Sequence, residues 1–366
     1  MTDIPVTVVG AGIIGRTHAD AVLRHPRLRV AAIVDPDATA RAALAAHVGK
    51  AAKEPAHSAT LDGAVTPNSL VTICTPTGTH AALAEEALER GAHVLVEKPL
   101  DVSPRIARAL ADRADEFAAR GLVASVVSQH RFDPASVAVA AAAHGGGLGR
   151  LTSAVASVPW WRAQSYYDQA DWRGTWKLDG GGALMNQGVH TVDLLLWLLG
   201  APSTVSAFTA RLAHDDIEVE DVVAATMRFE SGALATLHAT TAGHPGMGVR
   251  LQVHGTAGSA VLHDDQLEFL NATAGPAPVE RAEDAVPAGE LRGAAKPADA
   301  FVVGHLRQYE DVVAAIDGGR PPGVGLRDGL LAVAVVYAVY ASAALGRPVA
   351  VDEVLSGALD DLAGVS

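Results

Sequence analysis

Two side chains in this sequence suit proton transfer and the stabilisation of negative charge: His190 and Lys98. His190 lies in the run GGGALMNQGVHTVDLLLW over 180–197, where Asn186, His190 and Asp193 fall at i, i+4 and i+7 and would share one face of a helix. The other positions are mostly apolar. A helix apolar nearly all round is buried, and polar groups within it need partners. One reading makes His190 a core histidine bonded to Asp193 or to a backbone carbonyl. The other makes it a base, since imidazole titrates near neutrality. Lys98 stands in Glu97-Lys98-Pro99 after a strand pattern over 93–96. Its ammonium suits an oxygen on which negative charge develops, and partial burial would lower its pKa towards sharing the proton. The alternative for Lys98 is a phosphate or ribose contact, with Glu97 holding it in place. A base and a positive donor together are what oxidation of a secondary alcohol requires, because the hydroxyl proton must leave as a hydride departs from carbon.

The chain has only five Trp and five Tyr, yet Trp160, Trp161, Tyr166, Tyr167, Trp172 and Trp176 fall within seventeen residues, together with Arg162 and Arg173. Rings stack on apolar C–H faces, and an Arg forks onto a carboxylate or phosphate. Trp161, Arg162, Tyr166 and Trp172 are therefore candidate substrate contacts, with Arg162 the preferred anion clamp for an acidic substrate; the competing reading is a packed loop or subunit contact. His305, His130 and Arg131 are weaker candidates. No metal site is expected: fifteen His occur without HxH or HxxxH spacing, and Cys74, the one cysteine, sits in an apolar strand as a core residue.

The elements that must position these groups follow from the pattern. A β-branched run over 4–9 leads into Gly10-Ala11-Gly12-Ile13-Ile14-Gly15 and then helical spacing over 16–24. This strand, glycine turn and helix is the dinucleotide fingerprint, with Gly10, Gly12, Ile13 and Ile14 presenting backbone to a pyrophosphate. A second strand over 28–34 ends at Asp35, where the fingerprint places an acid for the ribose hydroxyls. Asp35 and Asp37, with no basic residue before Arg41, predict NAD over NADP. Strands over 70–74, 93–96 and 123–128 alternate with helices over 80–90 and 103–120, the rhythm of a doubly wound parallel sheet. Ligands lie at the carboxyl ends of such strands, where Thr75, Pro76, Thr77, Glu97, Lys98 and Gln129 fall.

The rhythm then changes. After a helix over 134–143, strands are predicted over 151–158, 205–213, 222–229, 233–240, 249–254 and 260–262, which implies an α+β domain with an open antiparallel or mixed sheet. An exposed loop is predicted over 272–298 and helices over 301–316 and 329–345. The last is almost wholly apolar and reads as a buried helix between domains rather than a membrane span. The domains are set at 1–128 for nucleotide and 129–366 for substrate binding and oligomerisation. A formal charge of −13 disfavours nucleic acid and anionic membrane as partners. One cysteine permits no intrachain disulfide, and an N-terminus without a basic region or cleavage motif makes a cytoplasmic location the expectation.

GAGIIG at Gly10, CTPTGTH at 74–80, EKP at Glu97, GGGALMNQGVHTVDLLLWLLG at Gly180 and the tail DGLLAVAVVYAVYASAALGRPV occur in this order. In these motifs, over nearly its whole length, the chain resembles the glucose-fructose oxidoreductase, inositol dehydrogenase and rhizopine-catabolism family, Gfo/Idh/MocA. The resemblance implies a Rossmann domain, a C-terminal domain with a large, mainly antiparallel sheet that forms homodimers or homotetramers, and a nicotinamide-dependent enzyme acting on sugars or cyclitols. It adds His80 to the cofactor set, places Lys98 as the active-site lysine and His190 as the proton-transfer residue, and puts Asn186 where many members carry Asp. An amide there orients but does not ionise. Some locally similar members act on nucleotide-linked amino-sugar uronates, which makes that a candidate substrate class. Two other activities share the scaffold: a redox-neutral enzyme that keeps its NAD while cleaving a glycosidic bond or inverting a centre, and a dinucleotide-binding regulator. Retention of both Lys98 and His190 argues against the regulator.

Overall fold

A computed structural model describes residues 3–276 and 278–362. Its elements run β1 (Ile4–Val9), α1 (Ile13–Arg24), β2 (Leu28–Val34), α2 (Ala38–Gly49), β3 (Ala56–Ser58), β4 (Leu70–Ile73), α3 (His80–Glu89), β5 (His93–Val96), α4 (Pro104–Asp112), α5 (Ala114–Ala119) and β6 (Ala124–Val126). There follow α6 (Pro134–His144), β7 (Leu151–Pro159), α7 (Gln164–Tyr167), α8 (Val189–Leu199), β8 (Pro202–Ala210), β9 (Val222–Phe229), β10 (Leu234–Thr240), β11 (Arg250–Gly255), β12 (Gly258–His263), β13 (Gln266–Ala272), α9 (Ala300–Gly318), α10 (Leu326–Leu345), β14 (Val349–Ala350) and α11 (Val351–Leu355). The chain folds as two compact units. The first takes the chain up to Asp101, Ile106–Gln129 and Pro297–Leu330; the second takes Val102–Arg105, His130–Lys296 and the chain from Leu331.

The first unit holds a six-stranded parallel sheet in the order β3-β2-β1-β4-β5-β6. Its central strands are buried on both faces, as helices on both sides require: β4 and β5 are buried at every position. The strand order reverses between β1 and β4, which opens a crevice at their carboxyl ends. One helix arrives from far along the chain: Tyr309, Val312 and Val313 of α9 join Val6, Val8 and Val30 in this core. The helix predicted over 103–120 is two, interrupted at Arg113 with φ −87° and ψ 2°.

The second unit holds eight strands in the order β13-β12-β11-β7-β10-β9-β8-β14, antiparallel except for β7 with β10. Along β9 and β10 buried and exposed residues alternate, the mark of a sheet covered on one face. Val223, Ala225, Met227 and Phe229 point into a core shared with Leu195 of α8 and Val335 and Val339 of α10. Helix α10 is long and apolar enough to cross a membrane, but it is mostly buried inside the protein, and 332–341 is buried without a break.

Two further stretches differ from the sequence-based expectation. Strand β13 was hidden in a mixed polar run. The segment 272–298 after it, which includes Ala277 outside the described residues, is the largely exposed loop expected, fastened at several points: Val279 pairs with Ala272, Leu291 pairs with Leu267, and the Gln266 amide donates to the carbonyls of Gly289 and Ala294. The second stretch is Ala183–Gly188, where the run expected to be α-helical forms a π-helical turn before α8 begins. π turns are rare and frequent at functional sites.

Candidate functional site

In the first unit the glycine turn has the geometry its sequence demands. Gly10 has φ +97°, and a Cβ there would stand 2.6 Å from the Cys74 carbonyl oxygen. A Cβ on Gly15 would fall 1.9 Å from the Gly10 carbonyl oxygen, so this close packing admits only glycine. Around Gly12 the space is open, with no heavy atom within 4 Å of where a Cβ would be. That open backbone at the start of α1 fits a pyrophosphate. Ile13, an apolar residue at the same helix start, is 81% exposed, and Ile14 is half-buried. The Asp35 carboxylate closes the turn from the next strand, accepting from the Ala11 N–H at 2.7 Å and the Asp37 N–H at 2.8 Å. Asp37 caps α2 by accepting from Thr39 and Ala40. Arg41, which the sequence reading set aside, reaches back to donate to the carbonyls of Asp35 and Pro36.

The turns after β4 and β5 are tied together. Both nitrogens of the His80 ring meet backbone carbonyls, Pro99 at 2.7 Å and Thr75 at 2.8 Å. This buried ring ties the two turns together. Thr75 bonds Thr79 through their hydroxyls at 2.7 Å, while Pro76 is exposed and Thr77 half-buried. Glu97 is buried, and its Oε2 accepts from the Lys98 N–H at 3.1 Å, just before the cis Lys98-Pro99 peptide. Its Oε1 meets His18 Nε2 at 2.9 Å and His305 Nε2 at 3.3 Å. His18 continues to the Tyr309 hydroxyl at 2.9 Å, and that hydroxyl to Thr72 at 2.8 Å. Burial pushes Glu97 up, but the two histidines overcome it and hold the carboxyl well below its usual range. Burial keeps His18 below its ordinary value. His305, expected among substrate contacts, is thus a buried member of this network, its Nδ1 donating to the Phe301 carbonyl at 2.8 Å. The network joins His18 of α1 and Glu97 after β5 to His305 and Tyr309 of α9, residues too far apart in sequence for their spacing to signal it. Gln129 is buried in a short turn after β6. Cys74 is partly buried against the core of this unit, and burial pushes its thiol well up.

In the second unit, the three glycines before the π turn are packed to the limit. Gly180 has φ +73°, and a Cβ on Gly182 would lie 1.7 Å from the Glu220 carbonyl oxygen. The Glu220 side chain accepts from the N–H groups of Gly182 and Leu184 at 2.8 Å each and from the Tyr340 hydroxyl at 3.1 Å. Burial pushes this carboxyl up to about 7 against those donors. Asn186 donates through Nδ2 to Asp179 Oδ1 at 2.7 Å, and Asp179 Oδ2 accepts from Gly174 N–H at 2.8 Å. Sequence reasoning missed Asp179, because the glycines between it and Asn186 break any helical spacing. Asp193 forms a buried two-pronged ion pair with Arg131, at 2.6 and 2.8 Å. His190 packs edge to face with His130 at 5.2 Å between ring centres. His130 meets Asp133 at 2.8 Å and Asp265 at 3.3 Å. Burial lowers its pKa, but these carboxylates outweigh it and the net shift is upward.

The aromatic segment divides. Tyr167 is buried against Ile217 and Val219 with its hydroxyl on Thr241 at 2.9 Å, and Trp176 packs on Tyr340 at 5.3 Å. Trp161 is 41% exposed and packs on His244 at 5.2 Å. Arg162 lies over Trp160 and Tyr166 at 4.9 and 5.0 Å, and Arg173 over Tyr166 and Trp172 at 4.2 and 5.1 Å. Two groups place three possible metal-ligand atoms within 4.8 Å, namely His18, Glu97, His305 and His130, Asp133, Asp265; in each the atoms already engage one another.

Comparison with known proteins agrees with this anatomy. Residues 4–125 match the family model described as an oxidoreductase family with an NAD-binding Rossmann fold, and 137–261 match the GFO/IDH/MocA C-terminal domain. Inositol 2-dehydrogenase of Rhizobium meliloti (strain 1021) is 28% identical, over 94% of this chain and 98% of its own. The WlbA dehydrogenase of Bordetella pertussis, solved with NADH and UDP-GlcNAcA, is 29% identical with a TM-score of 0.82, covering 95% of this chain and 98% of its own. Its counterpart from Chromobacterium violaceum, solved with the same two ligands, is 30% identical with a TM-score of 0.82 and 96% of each chain covered. The chain belongs to the GFO/IDH/MocA family of NAD-binding oxidoreductases.

Proposed function

We propose that this protein is an NAD-dependent dehydrogenase or reductase that moves a hydride between nicotinamide and a secondary hydroxyl or ketone of a sugar, sugar derivative or cyclitol. The observation that carries the reading is the open, glycine-only turn at Gly10–Gly15 with Asp35 folded onto it. Gly10, Gly12, Ile13 and Ile14 would hold the pyrophosphate by backbone, and Asp35 the adenosine ribose. Thr75, Pro76, Thr77, Glu97, Lys98 and Gln129 lie at or beyond the adjacent strand ends. The bound cofactor supplies a two-electron acceptor. Preference for NAD rests on the Asp35 carboxylate, which would repel a 2′-phosphate; Arg41 donates to two carbonyls beside it. Residues 1–128 form the nucleotide-binding domain in this reading, braced by α9, and the rest binds substrate.

In this proposal His190 takes the hydroxyl proton and Lys98 donates to the oxygen on which negative charge builds. Asn186 orients the substrate side, with Trp161, Arg162, Tyr166 and Trp172. Nucleotide-linked amino-sugar uronates are one candidate class, given the ligand in the WlbA structures. The outer face of the eight-stranded sheet, where Phe208 is 82% and Leu234 52% exposed, is the proposed homo-oligomer contact. The test is NADH formation from NAD against free sugars, glycosides, uronates, inositols and nucleotide sugars, after assaying the purified protein for retained cofactor. Turnover with one class supports the proposal. Tightly held NAD(H) with no net NADH from any class would replace it with redox-neutral chemistry. His190→Ala and Lys98→Ala are each expected to slow hydride transfer by on the order of a hundredfold or more while NADH affinity stays near that of the parent.

A further inference from the structure

Several arginines in the chain find acids: Arg113 pairs with Glu85, Glu89 and Glu116, Arg250 with Glu268, and Arg131 with Asp193. Arg162 and Arg173 do not. Among the described residues neither guanidinium donates a hydrogen bond or meets a carboxylate, and the Nε of each is buried without a partner. Both stack within 5.0 Å of the ring centre of Tyr166, so two like charges share one tyrosine. The backbone at Arg162 is pinned, its N–H donating to the Thr241 carbonyl at 2.8 Å and its carbonyl lying 2.9 Å from His214 Nε2. Behind Tyr166 stands the buried Gln187, whose Nε2 faces the tyrosine hydroxyl at 3.4 Å and whose Oε1 has no partner. The carboxylate whose charge acts on Tyr166 along with the two guanidiniums, Asp179, bonds Asn186 and Gly174. Both arginines are only half-buried, so their forks are pre-positioned by stacking with edges that reach solvent. A guanidinium so fixed gives up little conformational freedom when an oxyanion arrives, and its fork matches carboxylate and phosphate geometry.

We infer that Arg162 and Arg173, with Tyr166 between them, form an oxyanion subsite, so that the substrate is an acidic sugar derivative bearing a carboxylate or phosphate rather than a neutral sugar or cyclitol. The inference rests on the proposed sugar-binding role of the second unit but not on hydride transfer itself. A neutral substrate would leave two stacked cations beside it without an acceptor.

The test is direct binding to the NADH-loaded protein, where no oxidation of a hydroxyl substrate proceeds. Tryptophan fluorescence and calorimetry would compare D-glucuronate with D-glucose, D-glucose 6-phosphate with D-glucose, and UDP-glucuronate with UDP-glucose. The charged member of at least one pair is expected to bind tenfold or more tightly, on the order of the gain from a charge-assisted fork. That preference should shrink as salt rises. Arg162→Met and Arg173→Met should each abolish it, while Arg162→Lys, which keeps the charge but loses the fork, retains part of it. Circular dichroism and melting of each variant separate misfolding from loss of the subsite. A winning uronate assigns a carboxylate, and a winning phosphate a phosphoryl group. Equal binding of every charged and neutral pair, or a preference that survives both methionine variants, overturns the inference. Charge-selective binding without NADH formation in the turnover assay would instead count against the dehydrogenase proposal alone.

Discussion

Glu220→Gln gives a sharp test of how the glycine turn is held. The carboxyl is buried, with three donors directed at its two oxygens, and burial raises it from 4.5 to about 7. At 1.36 kcal/mol per unit that shift is worth roughly 3 kcal/mol. The folded state binds this proton more tightly than the unfolded chain does, so the contribution is fully present below 4.5 and lost as pH rises through about 7. Above that window the ionised carboxylate costs the fold roughly 3 kcal/mol relative to its neutral form. An amide keeps one acceptor and cannot ionise. The variant should therefore stay within about 1 kcal/mol of the parent at pH near 4.5. By pH 8 it should gain roughly 3 kcal/mol relative to the parent, or about 6–12 °C in relative melting temperature. Urea and thermal unfolding of both proteins, followed by tryptophan fluorescence at matched ionic strength across that range, measure the difference. Parallel pH curves, or a variant that loses ground as pH rises, would mean that the donors outweigh burial and the carboxylate is ionised throughout, and the reasoning would be wrong.

Arg131→Met should cost about 3–5 kcal/mol by stranding the buried Asp193 charge, and Arg131→Met with Asp193→Leu should recover most of it; denaturant midpoints would show this. Asp35→Ser removes the acceptor for Ala11 and Asp37 N–H groups, so Kd for NADH should rise by on the order of tenfold, while discrimination against NADPH, measured by fluorescence titration, falls.

What was legible in the sequence was whatever lies within one element or one turn. The glycine turn, Asp35, the apolar parallel strands and the alternating strands of the open sheet each carry their signal within ten or so residues, and the folded chain places them accordingly. Contacts made across the chain were not legible. His305 read as a cleft residue because nothing in its own helix shows that α9 returns to the first unit, where Glu97 and His18 await it. His80 entered the cofactor set through the resemblance, and nothing in its own helix shows that its two carbonyl neighbours come from different turns. Arg41 was counted by distance along the chain, which does not show that it folds back over Asp35.

Asn186 shows the same limit and yields the most exposed prediction. The i, i+4, i+7 alignment of Asn186, His190 and Asp193 assumed one α-helix, but Asn186 lies in a π turn and Gly180 and Gly181, at φ +73° and +158°, turn the chain back before it. That turn brings the acid Asp179 onto Asn186, with 2.7 Å between amide nitrogen and carboxylate. Where many relatives are expected to carry the acid, this chain carries the amide and keeps an acid as its partner. Asn186→Asp would then set two carboxylates against each other at hydrogen-bond distance. Two such groups do not both ionise readily, so one holds a proton with its pKa raised. The variant should stay near its parent while that proton is held and lose on the order of tenfold in kcat/KM as pH rises through the raised pKa, while the exchange Asp179→Asn with Asn186→Asp should restore much of the parent activity there. An Asn186→Asp enzyme as active as its parent, with an unchanged pH profile, would show that the Asp179 contact does not govern this face of the site.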